Sequence, residues 1–222
     1  MKTILCYGDS NTWGADPILE ARFDHHTRWP RVLQKLLNEG RPPDDPACWV
    51  VEEGLCGRTS VRDDPVEGDG RNGLRHLIPI LESHKPVDLV VILLGTNDLK
   101  QRFRPSPFDI AWGVKRVVMA AQNSRAGPGD AAPTALMVCP PPTTDSPGFR
   151  QKFGDMFGDC AEISTRLPRY FRQAAKECGA PWFDAGGVVK SSPADGIHWE
   201  KEEHRKFAEA LADVVKNLLS AS

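Results

Sequence analysis

The sequence predicts a three-layer, doubly wound α/β fold in which helices cover both faces of a five-stranded parallel sheet. Five short apolar runs rich in Val, Ile and Leu alternate along the chain with segments of helical periodicity. The runs are continuously apolar, which indicates strands that are buried on both faces. Such strands are typical of parallel sheets, and their alternation with helices is typical of doubly wound folds.

The predicted strands are short, and each is separated from the next by enough residues for a helix. The third is the strongest because only Asp88 interrupts its apolar side chains. In chain order, the predicted strands cover residues 3–7, 48–51, 87–94, 135–139 and 181–183.

Helical segments fit between and after these strands, at about 29–37, 72–83, 106–124, 159–178 and 200–219. The third helix has a clear start, with Ser106 as the N-cap and Pro107 at the first helical position. Pro79 disturbs the second helix, and Pro168 is expected to break the fourth. The alternation of strands and helices predicts the flavodoxin-like form of the doubly wound fold. Residues 140 to about 159 are predicted to form an unusually long loop, and such loops are often functional.

Length and composition predict one domain spanning residues 1–222. Hydrophobic residues make up 40% and charged residues 26%, which excludes a disordered chain. The chain has 28 Lys and Arg against 30 Asp and Glu, a net charge of −2, so no basic surplus points to nucleic acid or an anionic membrane.

No signal peptide or membrane span is recognisable, so a cytoplasmic location is expected. The six cysteines are scattered without a C-x-x-C pair, which predicts reduced thiols and no zinc cluster.

Four polar motifs each follow a predicted strand, the last one across a loop. Because the carboxyl ends of parallel strands share one edge of a sheet, we expect the four motifs to converge on one crevice. The motifs are Gly8-Asp9-Ser10, Glu52-Glu53-Gly54, Gly95-Thr96-Asn97-Asp98 and Asp195-Gly196-Ile197-His198.

These motifs contain the residue types that acyl transfer requires. Ser10 is the expected nucleophile, and His198 is the expected base, because histidine exchanges protons near neutral pH. Asp195, three residues earlier, can hold the imidazole tautomer and stabilise its protonated form. The backbone N–H groups of Ser10 and Gly54 and the side-chain amide of Asn97 are the expected donors to an oxyanion.

In these residues the sequence resembles the SGNH superfamily of hydrolases, also called GDSL esterases. The superfamily is named for a Ser, a Gly, an Asn and a His in four blocks, which Ser10, Gly54, Asn97 and His198 would supply here. Asn11 departs from the family name, which has Leu at that place, a position without a catalytic role. Residues 8–14 (GDSNTWG), 53–59 (EGLCGRT) and 94–98 (LGTND) are most similar to the bacterial arylesterase/acyltransferase branch.

This resemblance implies a small cytoplasmic serine esterase that acts on short-chain aryl or alkyl esters through an acyl-enzyme. Some members of the branch pass acyl groups to alcohols in water, so acyl transfer is a second expected activity. The implied partners are a small-molecule ester and a water or alcohol acceptor, with neither nucleic acid nor a membrane involved. The branch also implies a homo-oligomer with its active site at the end of a restricted channel.

Aromatic residues near the motifs are candidates for the walls of the substrate pocket. We expect Trp13, Trp29, Phe149, Phe153 and Phe157 to make the site small and apolar. The alternative is that the Phe residues pack against the last helix or a neighbouring subunit. The expected substrate-binding residues are Trp13, Thr96, Phe153 and Ile197.

Other reactive residues are better explained by structural roles. Cys6 and Cys56 are expected to be inert buried thiols. The histidines His25, His26 and His204 are expected on solvated loop and helix surfaces, and the carboxylates Asp9 and Asp98 are expected to anchor turns. No Gly-rich phosphate loop occurs, so no nucleotide cofactor is expected. No H-x-x-x-H or carboxylate spacing accompanies the histidines, so no metal is expected either. Two alternatives to the esterase remain: a carbohydrate or lysophospholipid deacylase using the same site, or a catalytically silent binding module.

Overall fold

The central sheet has the topology that the sequence predicts. The computed structural model describes residues 1–104 and 106–220. Within these ranges, five strands pair in parallel in the order β2-β1-β3-β4-β5. This order is that of flavodoxin-like doubly wound folds, which confirms the predicted fold class. The strands are β1 (Lys2–Gly8), β2 (Cys48–Gly54), β3 (Leu89–Leu93), β4 (Thr134–Cys139) and β5 (Trp182–Asp184).

Helices connect the strands and cover the sheet. The longer ones are α2 (Trp29–Leu37), α3 (Gly73–His84), α4 (Pro107–Gln122), α8 (Leu167–Glu177) and α9 (Lys201–Ser220). The shorter ones are α1 (Ser10–Trp13), α5 (Pro147–Lys152), α6 (Gly154–Phe157) and α7 (Cys160–Thr165). No helix of the described residues is both long and apolar enough to cross a membrane.

Two apolar cores lie on opposite faces of the sheet. Successive side chains of a strand point to opposite faces, so Leu5 and Tyr7 pack in one core, and Ile4 and Cys6 in the other. The first core also contains apolar residues of α3, α4 and α8, and the second those of α2 and α9. Burial on both faces explains why the strands are continuously apolar in the sequence.

Most of the helix ends predicted from capping residues and prolines are found in the structure. The helix predicted at 29–37 is α2, and the Ser106 hydroxyl caps α4 by accepting a hydrogen bond from the Asp109 N–H at 3.0 Å. The helix predicted at 159–178 is two helices, and it breaks at Arg166 instead of at Pro168. Pro168 lies in the first turn of α8, where a residue without an N–H loses no helical hydrogen bond.

Short helices occur in two segments where the sequence predicts none. Residues 140–159, predicted as a loop, include α5 and α6, and Ser10 begins α1. The start of α5 repeats the pattern of α4, because the Ser146 hydroxyl accepts from the Phe149 N–H at 3.0 Å and Pro147 follows the cap. Helices of four to six residues are too short to show apolar periodicity, so the pattern of the sequence missed them.

The register of the sheet brings the polar motifs to one edge. Gly8 at the end of β1 lies opposite Gly54 of β2 and Leu93 of β3. The residues that follow these three strands therefore begin at the same level of the carboxyl edge. This is the edge at which doubly wound folds bind ligands.

Candidate active site

Ser10 is presented at the carboxyl end of β1 by the short helix α1. The Asp9 side chain caps this helix by accepting a hydrogen bond from the Asn11 N–H at 3.0 Å. Gly8 lets α1 fold back on the strand, since a Cβ there would lie 2.0 Å from the Thr12 hydroxyl oxygen. Ser10 is 6% exposed, so its hydroxyl is held in a nearly closed environment.

The Ser10 hydroxyl belongs to a chain of hydrogen bonds that ends on a carboxylate. Its Oγ lies 2.8 Å from Nε2 of His198, and Nδ1 of the same ring lies 2.6 Å from Oδ2 of Asp195. Oδ1 of Asp195 accepts from the backbone N–H groups of Ile197 and His198, each at 2.9 Å. The structure therefore brings together the three residues that the sequence analysis assigned to acyl transfer.

The charge of Asp195 follows from these contacts. Burial by itself would raise the pKa of this carboxyl, but the hydrogen bond and charge of His198 and the two backbone donors hold it below its usual value. The carboxylate is thus ionised at neutral pH and acts only as an acceptor. It selects the His198 tautomer with a proton on Nδ1, which leaves Nε2 free to accept the proton of the Ser10 hydroxyl.

Gly54 and Asn97 lie at the carboxyl ends of the two strands that flank β1, and only Asn97 lines the cavity. Gly54 ends β2, and a Cβ there would lie 2.1 Å from the Trp13 nitrogen, so no side chain fits between β2 and α1. Asn97 begins a 3-10 turn (Asn97–Leu99) after β3 and lines the same cavity as Ser10 and His198. The next residue, Asp98, is fully buried and anchors this turn by accepting from the N–H and hydroxyl of Ser60 at 2.8 and 2.6 Å.

The hydrogen-bonded chain lies in the wall of a cavity of about 590 Å³. Three of the expected substrate-binding residues, Trp13, Phe153 and Ile197, line it, whereas Thr96 is buried beside Asn97 without lining it. The Phe153 ring lies 5.9 Å from the His198 ring, edge to face. The lining consists of Ser10, Trp13, Ala15, Asp16, Glu20, Ala21, Cys56, Gly57, Glu67, Asn97, Lys152, Phe153, Met156, Phe157, Asp195, Ile197 and His198.

Two of the expected wall residues belong to the cores instead. Trp29 is fully buried between α2 and α9, where its ring lies 5.0 Å from that of Phe207, so its expected place in the pocket wall is wrong. Trp29 begins α2, whose apolar face packs against α9. No residue of α2 lines the cavity. Phe149 is buried in the other core, and of the three Phe residues only Phe153 and Phe157 reach the cavity.

Sequence reasoning missed the part of the wall formed by residues 15–21 and by α5. Lys152 joins the two segments, since its Nζ lies 2.9 Å from Glu20 and donates to the Pro17 carbonyl oxygen at 3.1 Å. The partners are more than 130 positions apart, and neither segment carries a motif or a periodic pattern. No feature of the sequence predicts this contact.

The cysteines and His204, the other reactive side chains considered from the sequence, are not suited to take part in the chemistry. Cys6 is fully buried in β1, and burial raises the pKa of the Cys56 thiol, which lines the cavity, so both thiols are poor nucleophiles at neutral pH. The expected surface position of His204 is wrong. It is fully buried, its Nδ1 accepts from the Trp29 N–H at 3.4 Å, and burial lowers its pKa to about 3. Among the described residues, no group of three His, Cys, Asp or Glu side chains is placed to hold a metal ion.

Asp9 gives the protein a pH-dependent stability that can be measured. Its fully buried carboxyl has a pKa raised by burial from 3.8 to about 6, so the folded state binds this proton more tightly than the unfolded state. Ionisation therefore removes stability as pH rises from about 4 to about 7, by about 3 kcal/mol. Relative to wild type, Asp9→Asn is expected to gain that amount over this range in urea unfolding. A stability difference that is independent of pH would contradict this account.

Comparisons with known proteins identify the family and the fold. The family model of the GDSL-like lipase/acylhydrolase family matches residues 6–213. A carbohydrate acetylesterase family member from Sinorhizobium meliloti has a similar structure, with a TM-score of 0.90 and 37% identity over 99% of this chain and 100% of that one. The aryl esterase of M. smegmatis is 38% identical over 98% of this chain and 100% of its own, with a TM-score of 0.89.

A third similar structure is a putative arylesterase from Agrobacterium tumefaciens. It is 37% identical over 98% of this chain and 100% of its own, with a TM-score of 0.85. No curated protein sequence matched the chain. At these TM-scores and coverages, this chain and the three structures share the same overall fold.

Proposed function

This chain belongs to the GDSL-like lipase/acylhydrolase family, and we propose that it is a serine esterase that hydrolyses short-chain acyl esters through an acyl-enzyme on Ser10. The observation that carries the proposal is the continuous hydrogen-bonded chain from Ser10 through His198 to Asp195 in the wall of a cavity. The proposed catalytic domain spans residues 1–222. Its substrate is a small-molecule ester, and the acceptor is water.

In the proposed reaction, the Ser10 hydroxyl attacks the ester carbonyl while Nε2 of His198 takes its proton. The carbonyl oxygen becomes an oxyanion that accepts hydrogen bonds from the Ser10 and Gly54 N–H groups and the Asn97 amide. Collapse of this intermediate breaks the ester bond, and His198 returns the proton to the departing alcohol. Water then attacks the acyl-enzyme and gives a proton to His198. The bond between the acyl group and Ser10 Oγ breaks as His198 returns that proton to Oγ, which releases the carboxylic acid and restores Ser10.

The proposal is tested directly by labelling with diethyl p-nitrophenyl phosphate, an ester that phosphorylates activated serines. We expect one phosphoryl group per chain on Ser10, the release of one p-nitrophenolate, and a loss of activity toward p-nitrophenyl acetate in proportion to labelling. Peptide mass spectrometry identifies the modified residue. A wild-type protein that hydrolyses no acetyl, butyryl or octanoyl ester, or that stays active after Ser10 is labelled, would overturn the proposal.

Replacement of Asn97 by alanine tests the oxyanion site. Loss of one donor to the oxyanion is expected to lower kcat by about 10²–10³-fold, with KM nearly unchanged, because the hydrogen bond strengthens only as charge develops. The measurement is the hydrolysis of p-nitrophenyl acetate. Asn123→Ala is a suitable control, since Asn123 is an exposed residue at the end of α4. A fall in kcat for Asn97→Ala no larger than that of the control would exclude Asn97 from this role.

The preference for short acyl groups is assigned to Phe153. Its ring stands beside His198 in the cavity, so Phe153→Ala opens space next to the reacting carbonyl. We expect kcat/KM for p-nitrophenyl octanoate relative to acetate to rise by about tenfold, as a few more methylenes are accommodated. Phe108→Ala, which removes an exposed ring outside the cavity, should leave the ratio unchanged. An unaltered acyl-length profile in Phe153→Ala would contradict the assignment.

Acetylated carbohydrates are a second candidate substrate class. The observation that favours them is the similarity to the carbohydrate acetylesterase family member from Sinorhizobium meliloti. The rate of acetate release from a peracetylated sugar, compared with that from p-nitrophenyl acetate at the same enzyme concentration, distinguishes the two classes.

An apolar wall near His198 also favours transfer of the acyl group to alcohols. Ethyl acetate and benzyl alcohol should then yield benzyl acetate, whereas acetic acid as the sole product would exclude transfer.

The homo-oligomer and the cytoplasmic location implied by the resemblance stay predictions. Size-exclusion chromatography with light scattering measures the first, and fractionation of the producing cells measures the second.

A further inference from the structure

Asn11 connects the segment that carries Ser10 to the loop that carries His198. It follows Ser10 in α1, is 2% exposed, and occupies the position where the family name has Leu. Its Oδ1 accepts from the Trp199 N–H at 3.1 Å, and its Nδ2 donates to the Ile197 carbonyl oxygen at 3.3 Å. These partners are the residues immediately before and after His198, so one amide group holds the backbone on both sides of the histidine.

The two hydrogen bonds of the Asn11 side chain support His198 in a different way from Asp195. Asp195 belongs to the loop of His198 and binds N–H groups of that same loop, so it orients the imidazole but not the loop as a whole. Asn11 lies 186 positions from Ile197 and is itself fixed in α1 by its N–H bond to Asp9. Asn11 therefore ties together the two segments that meet at the 2.8 Å contact of Ser10 with His198.

We propose that Asn11 is a positioning residue for the esterase reaction, holding the His198 loop at the distance from α1 at which Nε2 reaches the Ser10 hydroxyl. The inference rests on the proposed function. An asparagine is suited to this task because its amide supplies both a donor and an acceptor, whereas Leu supplies neither and an ionised Asp lacks the donor. Displacement of a reacting group by about 1 Å is enough to lower a rate about 10²-fold.

The test is Asn11→Leu, which keeps the volume and removes both hydrogen bonds. We expect kcat for p-nitrophenyl acetate to fall by about 10- to 100-fold while KM changes by no more than about twofold. The rate constant for phosphorylation of Ser10 by diethyl p-nitrophenyl phosphate should fall by the same factor, since that step also requires His198 to take the proton. Asn11→Ala, which leaves room for water, is measured in parallel and serves alone if Asn11→Leu does not fold.

Asn38→Leu is a control for the loss of a half-buried amide that joins two segments of the chain. The Asn38 side chain donates to the Cys48 carbonyl oxygen and accepts from the Cys48 N–H, each at 2.9 Å, and joins α2 to β2 outside the cavity. This variant should lose a similar amount of thermal stability and keep the wild-type kcat. The inference is overturned if the Asn11 variants lose stability as Asn38→Leu does but keep kcat and the phosphorylation rate within about twofold of wild type.

The two proposals fail in different ways. If wild type hydrolyses esters and the Asn11 variants match it, the positioning role alone is excluded. If wild type turns over no ester, the proposed function fails first and the positioning role with it.

Discussion

Ser10→Ala is expected to lower kcat for p-nitrophenyl acetate by about 10⁶-fold, the largest effect of any single replacement in this chain. The variant has no Oγ, so His198 has no hydroxyl to activate and no acyl-enzyme can form. The fold should persist, because α1 is held by backbone bonds such as that from the Gly14 N–H to the Ser10 carbonyl oxygen at 2.8 Å. An unchanged melting temperature separates loss of chemistry from loss of structure.

Ser83→Ala provides the control for this experiment. Ser83 is an exposed serine of α3 whose hydroxyl donates to the Pro79 carbonyl oxygen, so its loss should leave the rate unchanged. Residual hydrolysis by Ser10→Ala above about 1% of the wild-type rate would indicate a different nucleophile, because an intact nucleophile contributes far more than a hundredfold. Alkylation of Cys56, the thiol that lines the cavity, would then be the next measurement.

Asp195→Asn is expected to lower kcat by about 10⁴-fold. The Asn oxygen can keep the two backbone N–H bonds that Oδ1 of Asp195 now accepts, so the loop should keep its shape. Its amide nitrogen would then face Nδ1 of His198 and force that atom to accept. The proton would move to Nε2, which faces the Ser10 hydroxyl and could no longer take its proton.

Asp184→Asn is the matched control for Asp195→Asn. The Asp184 carboxylate likewise accepts a hydrogen bond from a backbone N–H two residues later, at 3.0 Å, but lies outside the cavity. Its replacement should leave kcat near the wild-type value. The double variant Ser10→Ala/Asp195→Asn should be no slower than Ser10→Ala alone, because the two residues act as one unit. Additive losses would show that Asp195 acts independently of Ser10.

Much of this architecture was predictable from the amino-acid sequence. Strands buried on both faces must be continuously apolar, so the parallel sheet and its five strands were evident before the structure was known. Convergence of Ser10, Gly54, Asn97 and His198 on one edge also followed, because parallel strands place their carboxyl ends together whatever the length of the connections. The cap of α4 at Ser106 was visible since it depends on a few adjacent residues.

Other features became apparent only in the tertiary structure. The sequence placed Trp29 in the pocket wall and His204 on a surface, yet both are fully buried, and the Trp29 N–H donates to Nδ1 of His204 on α9. Local residue type does not reveal which face of a short helix meets which neighbour.

The cavity wall and the hydrogen bonds of the Asn11 side chain depend entirely on contacts between distant segments. Lys152 meets Glu20, and Asn11 holds Ile197 and Trp199, across more than 130 positions of the chain in each case. Periodicity and turn chemistry arise from interactions between residues that are near in sequence, so they predict strands, caps and the ends of elements. A pocket is the space left where loops from separate elements meet, and its shape is decided by how the completed sheet and helices hold those loops.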